Sequence, residues 1–267
     1  MPNMSPDDEV ANMLFRGEKW GKPRTAIKGV TFKNVSISNM ELFQITFTNC
    51  SFEDCIFKGS FFHEVEFHKC KFVNCNMWKA KFEKCYLDPA TIFLDSRYRV
   101  DASNVGVTMY QALLANYANE RQDAFYAQAD IEFRRWKRYQ LSYEIRKKNV
   151  DFVPGQLRRF KSFIFDLLAG YGYKPARFSI VTVIGFLAIS VFNHCVIGND
   201  LLINNQRPPS ASLINSIYYS FSVLTVLGFS TVVPDGTFAK LLTVFEALAA
   251  IGWLSIFTSI LVKRLLR

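Results

Sequence analysis

Aromatic or aliphatic residues return at every fifth position from Phe32 to Leu87, through Ile37, Leu42, Phe47, Phe52, Phe57, Phe62, Phe67, Phe72, Met77 and Phe82. A second, smaller set sits two residues before each: Val30, Val35, Met40, Ile45, Cys50, Cys55, Ser60, Val65, Cys70, Cys75, Ala80 and Cys85. A helix face repeats near 3.6 residues and a strand face near 2, so a period of five belongs to neither. The pattern then changes. Residues 105–122 and 123–148 are amphipathic stretches that predict an antiparallel helical hairpin. Pro154-Gly155 interrupts it, and Leu157 to Leu168 has one basic and one Phe-rich side, the composition of a helix lying in a membrane interface.

Two longer apolar runs follow. Phe178 to Ile197 contains no Asp, Glu, Lys or Arg and is long enough to cross ~30 Å of hydrocarbon as a helix. The second, about 238–263, is apolar except for Lys240 and Glu246 and closes on Lys263, Arg264 and Arg267. Between them, Leu213 to Leu224 is apolar but too short to span, and Leu227 to Pro234 is non-helical in character. A half-helix with an extended return is tolerated at membrane depth where it lines a water-filled path or is buried in protein, which predicts a pore helix and filter. The alternative is an outer hairpin packed on the bilayer.

The chain thus divides into an N-terminal segment (1–28), a repeat domain (29–88), a helical linker (89–153), an interfacial helix (154–172) and a pore domain (173–267). Within the last, spans are expected at about 178–197 and 238–263, a pore helix at about 213–225 and a filter at 225–231. Arg158, Arg159, Lys161, Lys174 and Arg177 precede the first span, whereas the loop 198–236 carries only Arg207. Both termini are therefore expected in the cytoplasm, in an inner (plasma) membrane protein with two spans. The polar first 30 residues have no apolar core of a secretory signal.

The segment Ser222 to Pro234, SVLTVLGFSTVVP, resembles the filter region of the two-transmembrane potassium channel family, whose filter reads TVGYGD. In that resemblance Val226 stands at the family's Thr, Leu227 at Val, Gly228 at the first Gly, Phe229 at Tyr, Ser230 at the second Gly and Thr231 at Asp. It implies that Thr225, Val226, Leu227, Gly228, Phe229 and Ser230 carry ion conduction, in a homotetramer that completes four-fold carbonyl rings. Val226 lacks the hydroxyl at the inner mouth, Phe229 lacks the phenol that bonds to the pore-helix surroundings, and Ser230 replaces a conformationally free glycine. Fewer ion sites and weaker discrimination of potassium from sodium are expected. The single-glycine filters of Trk/Ktr-type potassium transport proteins are similar in running Gly-Phe, but those place four pore units in one chain and this chain holds one.

In the second span the family commonly carries Glu early and Gly four residues later. Here Glu246 is followed by Ala250, with Gly252 two positions beyond. Gly252 is either a hinge or a site of close helix packing. Glu246, an ionisable group inside a span, is expected to face protein or water and to pair. Ser255 and Ser259 either line an inner cavity or bond back onto their own helix.

The five-residue period resembles the pentapeptide-repeat family, whose fold is a right-handed quadrilateral β-helix with 20 residues per coil. Twelve repeats at four per coil imply three coils, with Phe32, Phe52 and Phe72 in one column and Leu42, Phe62 and Phe82 in another. Five of the six cysteines then fall inside, where a metal site or redox switch competes with simple core filling by a small residue. Some members of the family mimic DNA through an acidic surface. Here seven lysines meet six carboxylates between Val30 and Leu87, so no nucleic-acid mimicry is expected and the domain is read as a docking or assembly module.

The 267 residues, half of them apolar, suit two spans with a modest soluble domain, and the net charge of +9 gathers near the inner membrane surface. The basic run Arg134, Arg135, Lys137 and Arg138 is either a solvated face or a contact with anionic lipid. No phosphate loop, nucleophile motif or metal-spaced His or Cys set is present, so the chain is not expected to be an enzyme or to hold a cofactor. The expectation is a mixed fold, with an N-terminal β-helix, a helical hairpin linker and an all-α two-transmembrane pore domain with a re-entrant loop, working as a homotetrameric cation channel. Potassium, with sodium as the alternative, is the expected permeant ion, and membrane lipids are expected partners beside an unknown cytoplasmic ligand or protein. The alternatives are a membrane-tethered repeat scaffold with a non-conducting pore and a non-selective cation channel.

Overall fold

The computed structural model describes residues 8–15, 19–20, 24–204, 206–207, 210, 212–225 and 231–265. The chain forms two compact units, Met1–Ile164 and Phe165–Arg267.

In the first unit short parallel strands stack coil upon coil. Glu9–Ala11, Thr31–Lys33, Ser51–Glu53, Lys71–Val73 and Ile92–Phe93 form one face, Lys19–Trp20, Glu41–Phe43, Phe61–His63 and Lys81–Glu83 a second, and Thr25–Lys28, Ile45–Thr48, Glu66–His68 and Tyr86–Leu87 a third. Parallel bridges joining Leu14, Ser36, Ile56 and Asn76 make the fourth face of a β-solenoid. Pairing is in register at an offset of 20 residues, as in Phe32 with Phe52 and Phe52 with Phe72. Identical rings consequently lie flat on one another, with centroids 4.9 and 4.8 Å apart in that column and 4.9 Å between Phe62 and Phe82. That spacing is the separation of paired strands, so ladder hydrogen bonding and ring stacking reinforce each other.

The corners recur in the left-handed region, at Asn34, Asn39, Gln44, Asn49, Asp54, Glu64, Lys69, Asn74, Lys79 and Lys84. Such a conformation costs an L-residue about 1 kcal/mol, and the corner N–H offsets it by bonding to the next coil, as Asn34 does to Glu53 O at 2.8 Å. At Gly59, in the same column as Asn39 and Lys79, the corner has φ +70° and a Cβ would stand 2.3 Å from Asn39 Oδ1, so glycine leaves room for the Asn39 side chain. Inside, the smaller set of residues acts on the backbone. The thiols of Cys55, Cys75 and Cys85 each donate to a carbonyl of the coil below, Phe32 O, Phe52 O and Phe62 O, at 3.3 Å. Ser60 donates to Ile37 O in the same way. Burial holds the Cys75 thiol far above its ordinary pKa and pushes that of Cys85 up to about 11. All five solenoid cysteines are buried, and no cluster of three or more metal-ligating side chains occurs among the described residues.

The solenoid extends beyond 29–88 at both ends. Val10 pairs with Phe32, Trp20 with Leu42 and Ile27 with Phe47, which makes an additional first coil. Val10, Phe15 and Trp20 keep the five-residue step, but Ile27 follows after seven, and this two-residue insertion hid the coil from a strict period. At the other end Ile92–Phe93 adds a last strand.

Three helices then close that end: α1 (Ser96–Asp101), α2 (Ser103–Asn119) and α3 (Asp123–Arg146). Asp95 caps α1, accepting from the backbone of Arg97 and Tyr98, and the Arg97 guanidinium holds its carboxyl below the usual range. Helices α2 and α3 form the expected hairpin, in contact where Gly106 meets Trp136, and a Cβ on Gly106 would fall 2.2 Å from the indole. Met109, Tyr110, Leu113, Tyr117, Ala129 and Trp136 join the solenoid core. Next comes α4 (Phe152–Ala169), which leaves Leu157, Phe160, Phe163 and Leu167 exposed together with Arg158, Arg159 and Lys161.

The second unit contains α5 (Pro175–Ile197), α6 (Leu213–Leu224) and α7 (Thr237–Leu265). Helices α5 and α7 are long and apolar enough to cross a membrane, whereas α6 is not. Leu201–Ile203 pairs antiparallel with Val232–Pro234, so the strand leaving α5 is bound to the strand entering α7.

Candidate functional site

The site is built around α6. Its twelve residues, LINSIYYSFSVL, cover only about half the rise of a membrane crossing. Ser216, Tyr219 and Ser220, one and three positions apart on one face, are buried, and each is held by a polar contact. Ser216 Oγ lies 3.4 Å from His194 Nδ1 of α5, and the Tyr219 hydroxyl bonds to Thr243 Oγ1 of α7. Asn193 of α5 donates from Nδ2 to Ser220 Oγ at 3.0 Å and to Glu246 Oε2 of α7 at 3.2 Å. Polar pairing inside an apolar bundle fixes rotation about the helix axis in a way that apolar packing does not. Helix α6 is thereby clamped to both neighbours.

Farther along, Trp253 of α7 stacks on Phe178 at 4.7 Å and donates to Thr182 Oγ1 at 3.0 Å, binding α7 to α5. An apolar cavity of about 490 Å³ opens between the three helices, lined by Gly185, Phe186, Phe221, Thr225, Ala249 and Trp253 among others.

The last residue of the clamp region, Thr225, caps α6: its N–H donates to Phe221 O and Val223 O, and its Oγ1 to Phe221 O at 2.6 Å. The carbonyl end of a helix carries partial negative charge, so α6 presents a cation-attracting end to the segment that follows. Val226, Leu227, Gly228, Phe229 and Ser230 lie outside the described residues. The chain is described again from Thr231, whose carbonyl accepts from Asn204 N at 3.0 Å, and Asp235 N donates to Asp200 O at 2.7 Å. An Arg207–Asp235 ion pair at 2.9 Å lies beside this small sheet, and Arg207 holds the Asp235 carboxyl below its usual range. Both ends of the loop are thus fixed, one by the helix cap and the other by strand pairing.

On α7, Glu246 is buried and accepts a hydrogen bond from Asn193 Nδ2. Gly252 is exposed, and a Cβ there would meet nothing within 4 Å, so packing inside the chain does not demand glycine at this position. Ser255 and Ser259 are exposed with Thr258 on a shallow groove flanked by Ile251, Leu254 and Val262. Their hydroxyls bond back to Ile251 O and Ser255 O, both at 2.8 Å. Sequence reasoning missed Asn193 and Ser220. A lone amide in an otherwise apolar span was the available signal, because such a group needs a partner as a carboxyl does.

The second unit thus holds a short apolar helix clamped between two helices long and apolar enough to cross a membrane, in a chain that also carries a β-solenoid. Residues 178–267 match the family model described as ion channel, and residues 46–88 match pentapeptide repeats in 8 copies. The chain therefore joins a pentapeptide-repeat domain to an ion-channel domain of the two-transmembrane, potassium-channel-like kind. The comparison with curated proteins found no match.

Proposed function

We propose that the protein is a homotetrameric cation channel of the plasma membrane, with potassium as its preferred ion. The observation that carries this reading is α6 itself: an apolar half-helix, held on one face by Asn193, His194 and Thr243, whose carbonyl end leads into Thr225 to Ser230. One pore loop per chain supplies one quarter of a carbonyl ring, so four chains surround the ion path. Thr225, Val226, Leu227, Gly228, Phe229 and Ser230 form the filter, with weaker exclusion of sodium than a two-glycine filter gives. Ser255 and Ser259 line the inner cavity, and Gly252, free of packing demands within the chain, serves as the bending point of α7. Helix α4 lies on the inner lipid surface with its Phe and Leu side chains inserted and its basic residues at the headgroups. Both termini face the cytoplasm, where the pentapeptide-repeat domain assembles or regulates the pore.

The test is potassium flux from loaded lipid vesicles containing the purified protein. Flux should be present in the wild type and absent in Gly228→Val with the tetramer intact, and equal flux in both would remove the filter assignment.

A further inference from the structure

We propose that Asn193 is a positioning residue of the pore, whose amide holds α6 against both spans and turns over when Glu246 changes protonation state. The inference deepens the channel reading and rests on it for its functional consequence. Asn193 is wholly buried, and its Nδ2 is shared between Ser220 Oγ at 3.0 Å and Glu246 Oε2 at 3.2 Å. Its other end, Oδ1, is also buried and finds no partner among the described residues. The amide therefore presents its donor end to Ser220 and Glu246 and holds its acceptor end in reserve.

A carboxylate accepts only, and so matches the donor end of the amide. A protonated carboxyl can donate, and then matches the acceptor end. Rotating the Asn193 amide by half a turn exchanges the two ends without moving any helix. With Glu246 ionised, Nδ2 donates to both partners. With Glu246 protonated, Oδ1 accepts from the Glu246 and Ser220 hydroxyls, because Ser220 serves either role. The proton that arrives on Glu246 comes from water and returns to it.

Among the described residues no other group facing this carboxyl duplicates the role. From α5 the neighbouring His194 is engaged with Ser216, from α6 the Tyr219 phenol is engaged with Thr243, and on α7 Lys240 is exposed more than a turn away. Among the described residues no cation is ion-paired with Glu246. Asn193 is then the group whose orientation reports the protonation state, and Ser220 passes that state to α6, which runs directly into the filter.

The experiment uses the full chain in lipid vesicles with two readouts between about pH 5 and pH 9. The first is pH-difference infrared spectroscopy, which sees a protonated carboxyl by its carbonyl band and does not need conduction. The wild type should show a titrating band that is absent in Glu246→Gln and shifted in Asn193→Leu. The second is potassium flux, which should change about tenfold between two pH plateaus in the wild type, the change one charge-assisted hydrogen bond can support. Glu246→Gln, fixed in the neutral form, should stay near the acid plateau at every pH.

A carboxyl band that persists in Glu246→Gln, or one that Asn193→Leu leaves unmoved, would overturn the proposal. So would an unaltered flux profile in Glu246→Gln. Where Asn193→Leu does not assemble, Ser220→Ala carries the same test by moving the titration midpoint. Bands that behave as stated in a protein without flux would keep the amide switch and remove the channel reading.

Discussion

Asn116 pairs with the backbone of Cys85 as a neighbouring strand would: Cys85 N–H donates to Asn116 Oδ1 at 2.9 Å, and Asn116 Nδ2 donates to Cys85 O at 2.8 Å. The edge of the last coil, which would otherwise present unpaired backbone to further chains, is completed by a side chain from α2. Tyr117 extends the cap by donating to Leu87 O at 2.5 Å. Asn116→Ala removes the partner of the buried Cys85 N–H and leaves Cys85 O with only the 3.4 Å bond from Gln122 Nε2. It should lower the stability of the solenoid by about 2 to 4 kcal/mol, measured by denaturant unfolding, and should raise aggregation.

Phe52 is fully buried and stacked between Phe32 and Phe72. Truncation to alanine removes two stacking contacts and opens a cavity in the middle of the ladder, so Phe52→Ala should cost about 3 to 5 kcal/mol. Tyr86→Ala, at a partly exposed position, should cost much less, and thermal unfolding of the two variants would show the difference.

Gly106 leaves no room for a side chain against Trp136. Gly106→Leu should separate α2 from α3 and lower stability by about 1 to 3 kcal/mol, with the fluorescence of the buried indole shifting as water reaches it.

The Cys85 thiol, pushed up to about 11 by burial, gives a dependence on alkaline pH. Because the folded-state value is raised, the unfolded chain loses its thiol proton first, at about pH 9. The contribution to stability is therefore intact below that pH and is lost as pH rises toward 11. Denaturant unfolding at increasing pH should show this decline, and Cys85→Ala should reduce its slope.

The regular part of this molecule was open to a reader of the sequence because its physics is periodic. A residue that must sit at the same place in every coil, such as Phe32, Phe52 or Phe72, writes the coil length into the chain. The first coil was hidden by the two extra residues between Trp20 and Ile27, which shift the register while pairing continues. The spans and the half-helix could be read from length and polarity. What could not be read was the fastening of the half-helix, because Asn193, Ser220 and Glu246 are 27 and 53 residues apart from the first and only the fold brings them together. The strand pairing of Leu201–Ile203 with Val232–Pro234 was equally hidden, since two three-residue apolar stretches carry no period of their own.

The central claim is a cation-conducting pore, and planar bilayers with potassium on one side and sodium on the other test it most directly. Purified protein, checked to be tetrameric, should give unitary currents whose reversal potential is displaced in the potassium-selective direction, by less than a two-glycine filter would give. No unitary current from intact tetramers across the pH plateaus would contradict it.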